Sequence, residues 1–300
     1  MNSSNWQQNQ LATPGTIREV GARDGLQNEK VIVPTEMKIA LIKRFIDAGI
    51  TAIEVTSFMS PRAVPQLADA GEVLEGLGDP GPGVVLSALV GNAKGVRRAL
   101  DTKQPALREL AVVVSASEEH NRANLNRSVE ESLRGLEEIC RLAADRFKVR
   151  GTVSTAFGCP YQKEIKPEEV FRVIEAMLAA GIVEITLGDT AGMGEPGQVG
   201  KLIMGVREQF PGVSLALHLH DTRGRGLQNA RAGIEAGVTI MESSVGGLGG
   251  CPFIPGASGN VATGELVRMM HQMGIDTGVD LDRLQECQLF LRSVLDKKTV

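Results

Sequence analysis

The sequence predicts an α/β protein of one architecture, a (β/α)8 TIM barrel followed by an extra C-terminal helix. Three observations carry that prediction. Short β-rich runs alternate with longer helical stretches from Thr16 onward, and the runs number eight, the number that closes a parallel barrel. Several helices end at an Ala-Gly pair just before the next strand, at Ala48-Gly49, Ala180-Gly181 and Ala236-Gly237, a signal for a glycine C-cap. Alternate residues of Ser214–His220 divide into leucines suited to surrounding helices and histidines suited to a barrel interior.

In chain order, strands are expected at Thr16–Val20, Ala52–Thr56, Val84–Leu89, Leu110–Val114, Val149–Thr155, Val183–Leu187, Ser214–Leu219 and Val238–Ser243. Each is short, bounded by turn residues and rich in β-formers. Helical periodicity marks Glu36–Ala48, Val129–Ala144, Glu168–Ala179 and Gly226–Ala236, and Asp280–Leu295 reads as the additional helix. Residues 1–15 are polar and read as a disordered leader, with neither a signal-peptide core nor an Arg-rich presequence. Residues 16–300 read as a single catalytic domain with no linker inside it.

Composition narrows the function. At 42% hydrophobic and 23% charged, the 300 residues suit an ordinary globular protein with a large core. The net charge of −4, without a basic run, gives no reason to expect nucleic acid, and no apolar run approaches the roughly 20 residues of a membrane span. Cys140, Cys159, Cys251 and Cys287 form no C-x-x-C pair. They read as reduced thiols of a cytoplasmic protein rather than as a zinc site or disulfide framework.

Side-chain alternation locates a site. In Ser214–His220 the leucines 215, 217 and 219 share one strand face and His218 and His220 the other. The same split sets Ile53 and Val55 against Glu54 and Thr56, and Val149 and Val153 against Arg150, Thr152 and Ser154. An interior this polar implies more than packing. His218 and His220, in phase at a strand end, can chelate one divalent ion; the plainer reading is a hydrogen-bonded pair of core histidines. Arg23 and Asp24, in Arg23-Asp-Gly-Leu-Gln-Asn-Glu29 after strand one, stand on the face where barrel enzymes keep their active sites, or form a surface ion pair. After strand eight, glycines 246, 247, 249 and 250 precede Cys251 in a stretch ending at Asn260. That composition suits a loop closing over substrate with a thiol, or an anion-binding turn. Cys140 and Cys287 fall in helical stretches and read as packing thiols, and Cys159 reads as structural.

Taken together, RDGLQNE, LGDT (Leu187–Thr190), HLHDT and GLGGCPF…GASGN resemble the hydroxymethylglutaryl-CoA lyase family of metal-dependent barrel lyases, in the right order from about Thr16 to the final helix. The resemblance implies Asp24, His218, His220 and Asn260 as ligands of Mg²⁺ or Mn²⁺. It implies Arg23 as the group that stabilises an enolate, Cys251 as the proton-transfer thiol, and Glu54 and Asp189 as supporting acids. It also implies an acyl-CoA thioester as substrate, with Gln27 and Arg223 beside Arg23 as substrate-binding residues, and leaves room for a homodimer. The implied reaction is retro-Claisen cleavage of 3-hydroxy-3-methylglutaryl-CoA to acetyl-CoA and acetoacetate, a step of leucine catabolism.

The chain departs from the family at Arg223 and Arg225, where an aromatic residue and Gln are common. It departs also at Val90-Gly91-Asn92, Gly264 and Glu118–Arg122. These changes leave the metal and thiol positions intact and bear on the acyl group, so a lyase for a different 3-hydroxyacyl-CoA is one alternative. A condensing acyl-CoA synthase of the same superfamily is another, though it would not need Cys251. A barrel that binds a CoA ester without turnover is the reading outside enzymes, and intact Arg23, Asp24 and Cys251 argue against it.

Overall fold

The computed structural model describes residues 15–250 and 259–296. Eight parallel strands pair in sequence order and close, β8 on β1. They are β1 (Thr16–Glu19), β2 (Ala52–Ser57), β3 (Val85–Leu89), β4 (Leu107–Ser115), β5 (Lys148–Ser154), β6 (Glu184–Asp189), β7 (Ser214–Leu219) and β8 (Ile240–Ser243). The helices around them are α1 (Thr35–Asp47), α2 (Ala70–Leu77), α3 (Ala93–Leu100), α4 (Glu118–Leu125), α5 (Val129–Ala143), α6 (Pro167–Ala179), α7 (Pro196–Gln209), α8 (Gly226–Glu235) and α9 (Thr263–Gln272). The expected extra helix is α10 (Leu281–Leu295). All eight strands fall where expected to within a few residues, the largest difference being the earlier start of β4. Apart from Gly15, the leader lies outside the described residues.

The three Ala-Gly junctions behave as read. Gly49, Gly181 and Gly237 take φ of +88°, +91° and +93°, the left-handed turn that ends each helix and re-aims the chain into a strand. Helix α4, absent from the sequence reading, starts where the Ser117 hydroxyl accepts the His120 N–H; Glu118 and Glu119 then sit favourably in its first turn.

The alternation sorts as expected. Leu215, Leu217 and Leu219 are buried on the helix-facing side of β7. The barrel interior holds an ionic floor instead of an aliphatic one. Arg18 reaches Glu184 at 2.7 Å, Glu242 at 3.2 Å and Glu109 at 3.3 Å. Arg150 reaches Glu242 at 2.7 Å and bonds Glu54, and Lys148 closes the lower edge onto Glu184 at 2.6 Å. Taking these charges out of water is costly, so each must be matched. Of this floor the sequence reading had placed only Glu54 and Arg150 inside.

The floor has a consequence for acid stability. Burial opposes ionisation of Glu184, but Arg18 and Lys148 outweigh it and hold the carboxyl at about 2, below its ordinary 4.5. A carboxylate with a depressed folded pKa stabilises the fold above its unfolded pKa and loses that contribution as pH falls through the folded one. Urea unfolding is therefore expected to show stability dropping between about pH 4.5 and 2. Glu184→Gln should flatten that slope and lower stability at neutral pH.

Candidate active site at the C-terminal mouth

The chain leaves β1 in a wide π-helical turn, Gly21–Gly25, and this turn aims Arg23 and Asp24 inward over the strand ends. Arg23 is 8% exposed. Its Nη1 donates to Asp24 Oδ1 at 2.6 Å and its Nε to Glu54. Nη2 donates to none of the described residues and is left for a ligand. Of the two readings of this pair, the structure supports the buried one.

Across the mouth, the ends of β7 place the two imidazoles side by side, His218 Nε2 3.2 Å from His220 Nε2. His218 Nδ1 meets Glu242 Oε2 at 3.0 Å, and its Nε2 stands 3.9 Å from Asp24 Oδ2. Asn260 is brought in by a bridge to the backbone of His220, and its Nδ2 donates to Asp24 Oδ2 at 2.8 Å. Four residues that are far apart in sequence thus meet at one point.

Whether they fit a divalent ion can be judged from their geometry and unmet valences. One ligand atom each from Asp24, His218 and His220 lies within 4.8 Å of the others. The 3.2 Å between the two Nε2 atoms is close to that of two nitrogens each about 2 Å from one ion. Burial opposes ionisation of Asp24, but Arg23, both histidines and Asn260 outweigh it and hold its carboxyl low, so the oxygen ligand is charged. Burial, then the neighbouring His218, pushes His220 down to about 4, so its imidazole is neutral and its lone pair available. Among the described residues, neither Asn260 Oδ1 nor His220 Nδ1, both buried, has a hydrogen-bond partner. The residues fit.

Of the glycines before Cys251, Gly246, Gly247 and Gly249 have φ of +69°, +71° and +99°. Gly249 is also a close-approach position. A Cβ there would lie 2.5 Å from Asn260 Nδ2 and 3.0 Å from Asp24 Oδ2. Gly249→Ala is expected to weaken Mn²⁺ binding by roughly tenfold or more, through backbone strain and displaced ligands. Equilibrium titration of the metal-stripped protein checks this. Cys251 itself lies outside the described residues.

The remaining expected residues divide. Gln27 lines the cavity over Asp24 and the histidines, and its buried Oε1 has no partner among the described residues. Glu54 sits beneath, fully buried, splitting its oxygens between Arg23 and Arg150. Asp189 is fully buried, and its two oxygens accept the Met193 and Gly194 N–H groups at 2.9 Å each, which shapes the turn after β6. Its burial raises the carboxyl to about 6, partly countered by those two bonds. Arg223 is exposed and does not line the cavity. Arg225 instead pairs with Glu195. Cys140 is half-buried in α5 and Cys287 buried in α10, where burial raises both thiols, Cys287 to about 12. Cys159 is buried.

Besides Glu184 of the floor, the buried carboxylates Glu242 and Glu19 escaped the sequence reading. Glu242 supports His218. Glu19 accepts the Thr263 hydroxyl at 2.6 Å and the Gly21 and Val245 N–H groups at 2.8 and 2.9 Å, tying the β1 turn to the segment after β8. Their strands carry no alternation cue that separates them from solvent-facing acids.

The cavity they enclose has a volume of about 680 Å³ and continues from the cluster outward between α3 and α5. A closed parallel barrel with an Asp-His-His cradle and a buried guanidinium at its C-terminal mouth defines a barrel enzyme with a candidate divalent-cation site. The chain belongs to the HMGL-like family, whose model matches residues 16–290. It is 45% identical to bovine mitochondrial hydroxymethylglutaryl-CoA lyase over 94% of this chain and 86% of that protein. It is 43% identical to the Bacillus subtilis hydroxymethylglutaryl-CoA lyase over 94% and 93%. Among solved structures, the Brucella melitensis HMG-CoA lyase superposes with a TM-score of 0.89 at 46% identity, covering 95% of this chain and 100% of that one. The Acinetobacter baumannii enzyme, in complex with coenzyme A and 3-methylmalate, gives 0.90 at 40% over 98% and 94%. Among the described residues, no helix is long and apolar enough to cross a membrane.

Proposed function

We propose that this barrel is a hydroxymethylglutaryl-CoA lyase, cleaving 3-hydroxy-3-methylglutaryl-CoA to acetyl-CoA and acetoacetate. The observation that carries the reading is the convergence of Asp24, His218 and His220 beside the free edge of Arg23. The relatives named above, lyases acting on this thioester over nearly their whole lengths, support it.

Asp24, His218, His220 and Asn260 would hold the ion, and two oxygens with two imidazoles and no thiolate favour Mg²⁺ or Mn²⁺ over structural zinc. Bound there, a divalent cation supplies a Lewis acid that lowers the pKa of a coordinated hydroxyl. The substrate's 3-hydroxyl gives its proton to a base at the site, Asp24 or a histidine. That oxygen then becomes the ketone of acetoacetate as the C2–C3 bond breaks, and the electron pair leaves with C2 as the thioester enolate. Arg23 Nη2 offsets charge on the enolate oxygen, and the Cys251 thiol protonates C2. Gln27 Oε1 accepts a hydrogen bond from the substrate. Lys94, Arg97 and Arg127 line the outer cavity, where cations suit the phosphates of CoA. Cysteines without a C-x-x-C pair suit reduced thiols and a cytoplasmic enzyme.

The larger-tail alternative was motivated by Arg223 and Arg225; Arg223 is exposed and off the cavity lining and Arg225 pairs with Glu195, which favours the smaller substrate. The test is kcat/KM for hydroxymethylglutaryl-CoA against thioesters with altered 3-substituents or chain length. The expected result is a clear preference for hydroxymethylglutaryl-CoA, unchanged by Arg223→Tyr. Faster turnover of a longer acyl chain, lost in that variant, would overturn the substrate assignment.

A further inference from the structure

The two histidines are held differently. His218 has its second nitrogen tied to a carboxylate, Nδ1 to Glu242 Oε2 at 3.0 Å, whereas buried His220 Nδ1 has no partner among the described residues. Glu242 is itself held hard. Its other oxygen, Oε1, accepts from Arg150 at 2.7 Å, from Arg18 at 3.2 Å and from the Thr186 hydroxyl at 3.2 Å. Those donors come from β5, β1 and β6, so the carboxylate is gripped from three further strands. The same Arg150 bonds Glu54, which holds Arg23.

We infer that Glu242 is a positioning residue: anchored by the ionic floor through Arg150 and Arg18, it fixes the ring of His218 with Nδ1–H inward and the Nε2 lone pair toward the cation site. This rests on the reading of His218 as a metal ligand. The reason is geometric. A carboxylate accepts only, so the bond to Glu242 requires a proton on Nδ1, and a neutral imidazole then has its lone pair on Nε2. The ring cannot turn over without breaking that bond between two buried groups. A carboxylate behind a ligating imidazole also strengthens it as a donor. Arg150, bonded to both Glu242 and Glu54, links the supports of His218 and Arg23 through one buried guanidinium.

A merely structural Glu242 would change stability without changing what the imidazole does, and two measurements separate these roles. The first is Mn²⁺ binding to the metal-stripped full chain, read by the free-ion EPR signal. Glu242→Gln keeps the shape but loses the charge and the obligate acceptor. It should weaken Mn²⁺ binding by roughly 10- to 100-fold, with kcat at saturating Mn²⁺ recovering most of its value. Equal Mn²⁺ affinity in wild type and a folded variant overturns the inference and leaves the metal site standing; absence of Mn²⁺ binding in wild type overturns the metal site itself. The second needs no variant. ¹⁵N-histidine NMR of the metal-free wild type should show His218 as the Nδ1–H tautomer, and an Nε2–H tautomer there overturns the inference even if the Gln variant does not fold.

Discussion

Arg23→Gln is expected to lower kcat by roughly 10²–10³-fold, the usual cost of losing a donor to a developing oxyanion. Arg23 makes two bonds that place it, to Asp24 and Glu54, and its Nη2 donates to none of the described residues, as the proposed role requires. Gln is long enough to bond one of these partners but carries no charge to offset an enolate. KM should move little, because the charge that Arg23 meets exists only after the bond has begun to break. Lys should rescue poorly, since a single ammonium cannot hold both carboxylates and still present a planar donor inward. Steady-state kinetics of the Gln and Lys variants, each checked for retained Mn²⁺ binding, measure this. A Lys variant near wild-type kcat would contradict the role.

Cys251→Ser should be comparably severe, roughly 10²–10⁴-fold in kcat, the range spanned by a positioned proton donor. A serine hydroxyl is a far weaker acid than a thiol and cannot deliver a proton to carbon at a useful rate. Alkylation should inactivate wild type, and substrate should protect it. Cys140 and Cys287 provide the control: their thiols are raised by burial and should react slowly. Full activity in the Ser variant would make Cys251 a loop residue.

The strands, the helix-ending glycines and the paired histidines were legible because each rests on local periodicity or on a turn that needs a particular residue. His218 and His220 stand two apart on one strand face, so the pairing is visible in three residues of text. Asp24 and Arg23 were visible as a charged pair at a strand end, but not their burial, which depends on a π-helical turn that no spacing announces. Asn260 came only through the family resemblance, because its approach to His220 is made by chain from beyond β8. The ionic floor was mostly illegible for a plain reason. Arg18 and Glu242 are 224 residues apart, and an Arg or Glu in a strand ordinarily faces water. Only closure of the barrel makes their burial affordable. Helix α4 had a signal that could have been used, Ser117 followed by two acidic residues, in a stretch read only as a departure from the family.

Carbon–carbon cleavage should depend on a cation held by Asp24, His218, His220 and Asn260. Hydroxymethylglutaryl-CoA is supplied to metal-stripped protein and to the same protein after adding Mn²⁺ or Mg²⁺, and both products are measured. Acetyl-CoA and acetoacetate are expected in equal amounts from the reconstituted protein, and neither from the stripped one. Full turnover by metal-free protein, or no cleavage after reconstitution, would contradict this dependence.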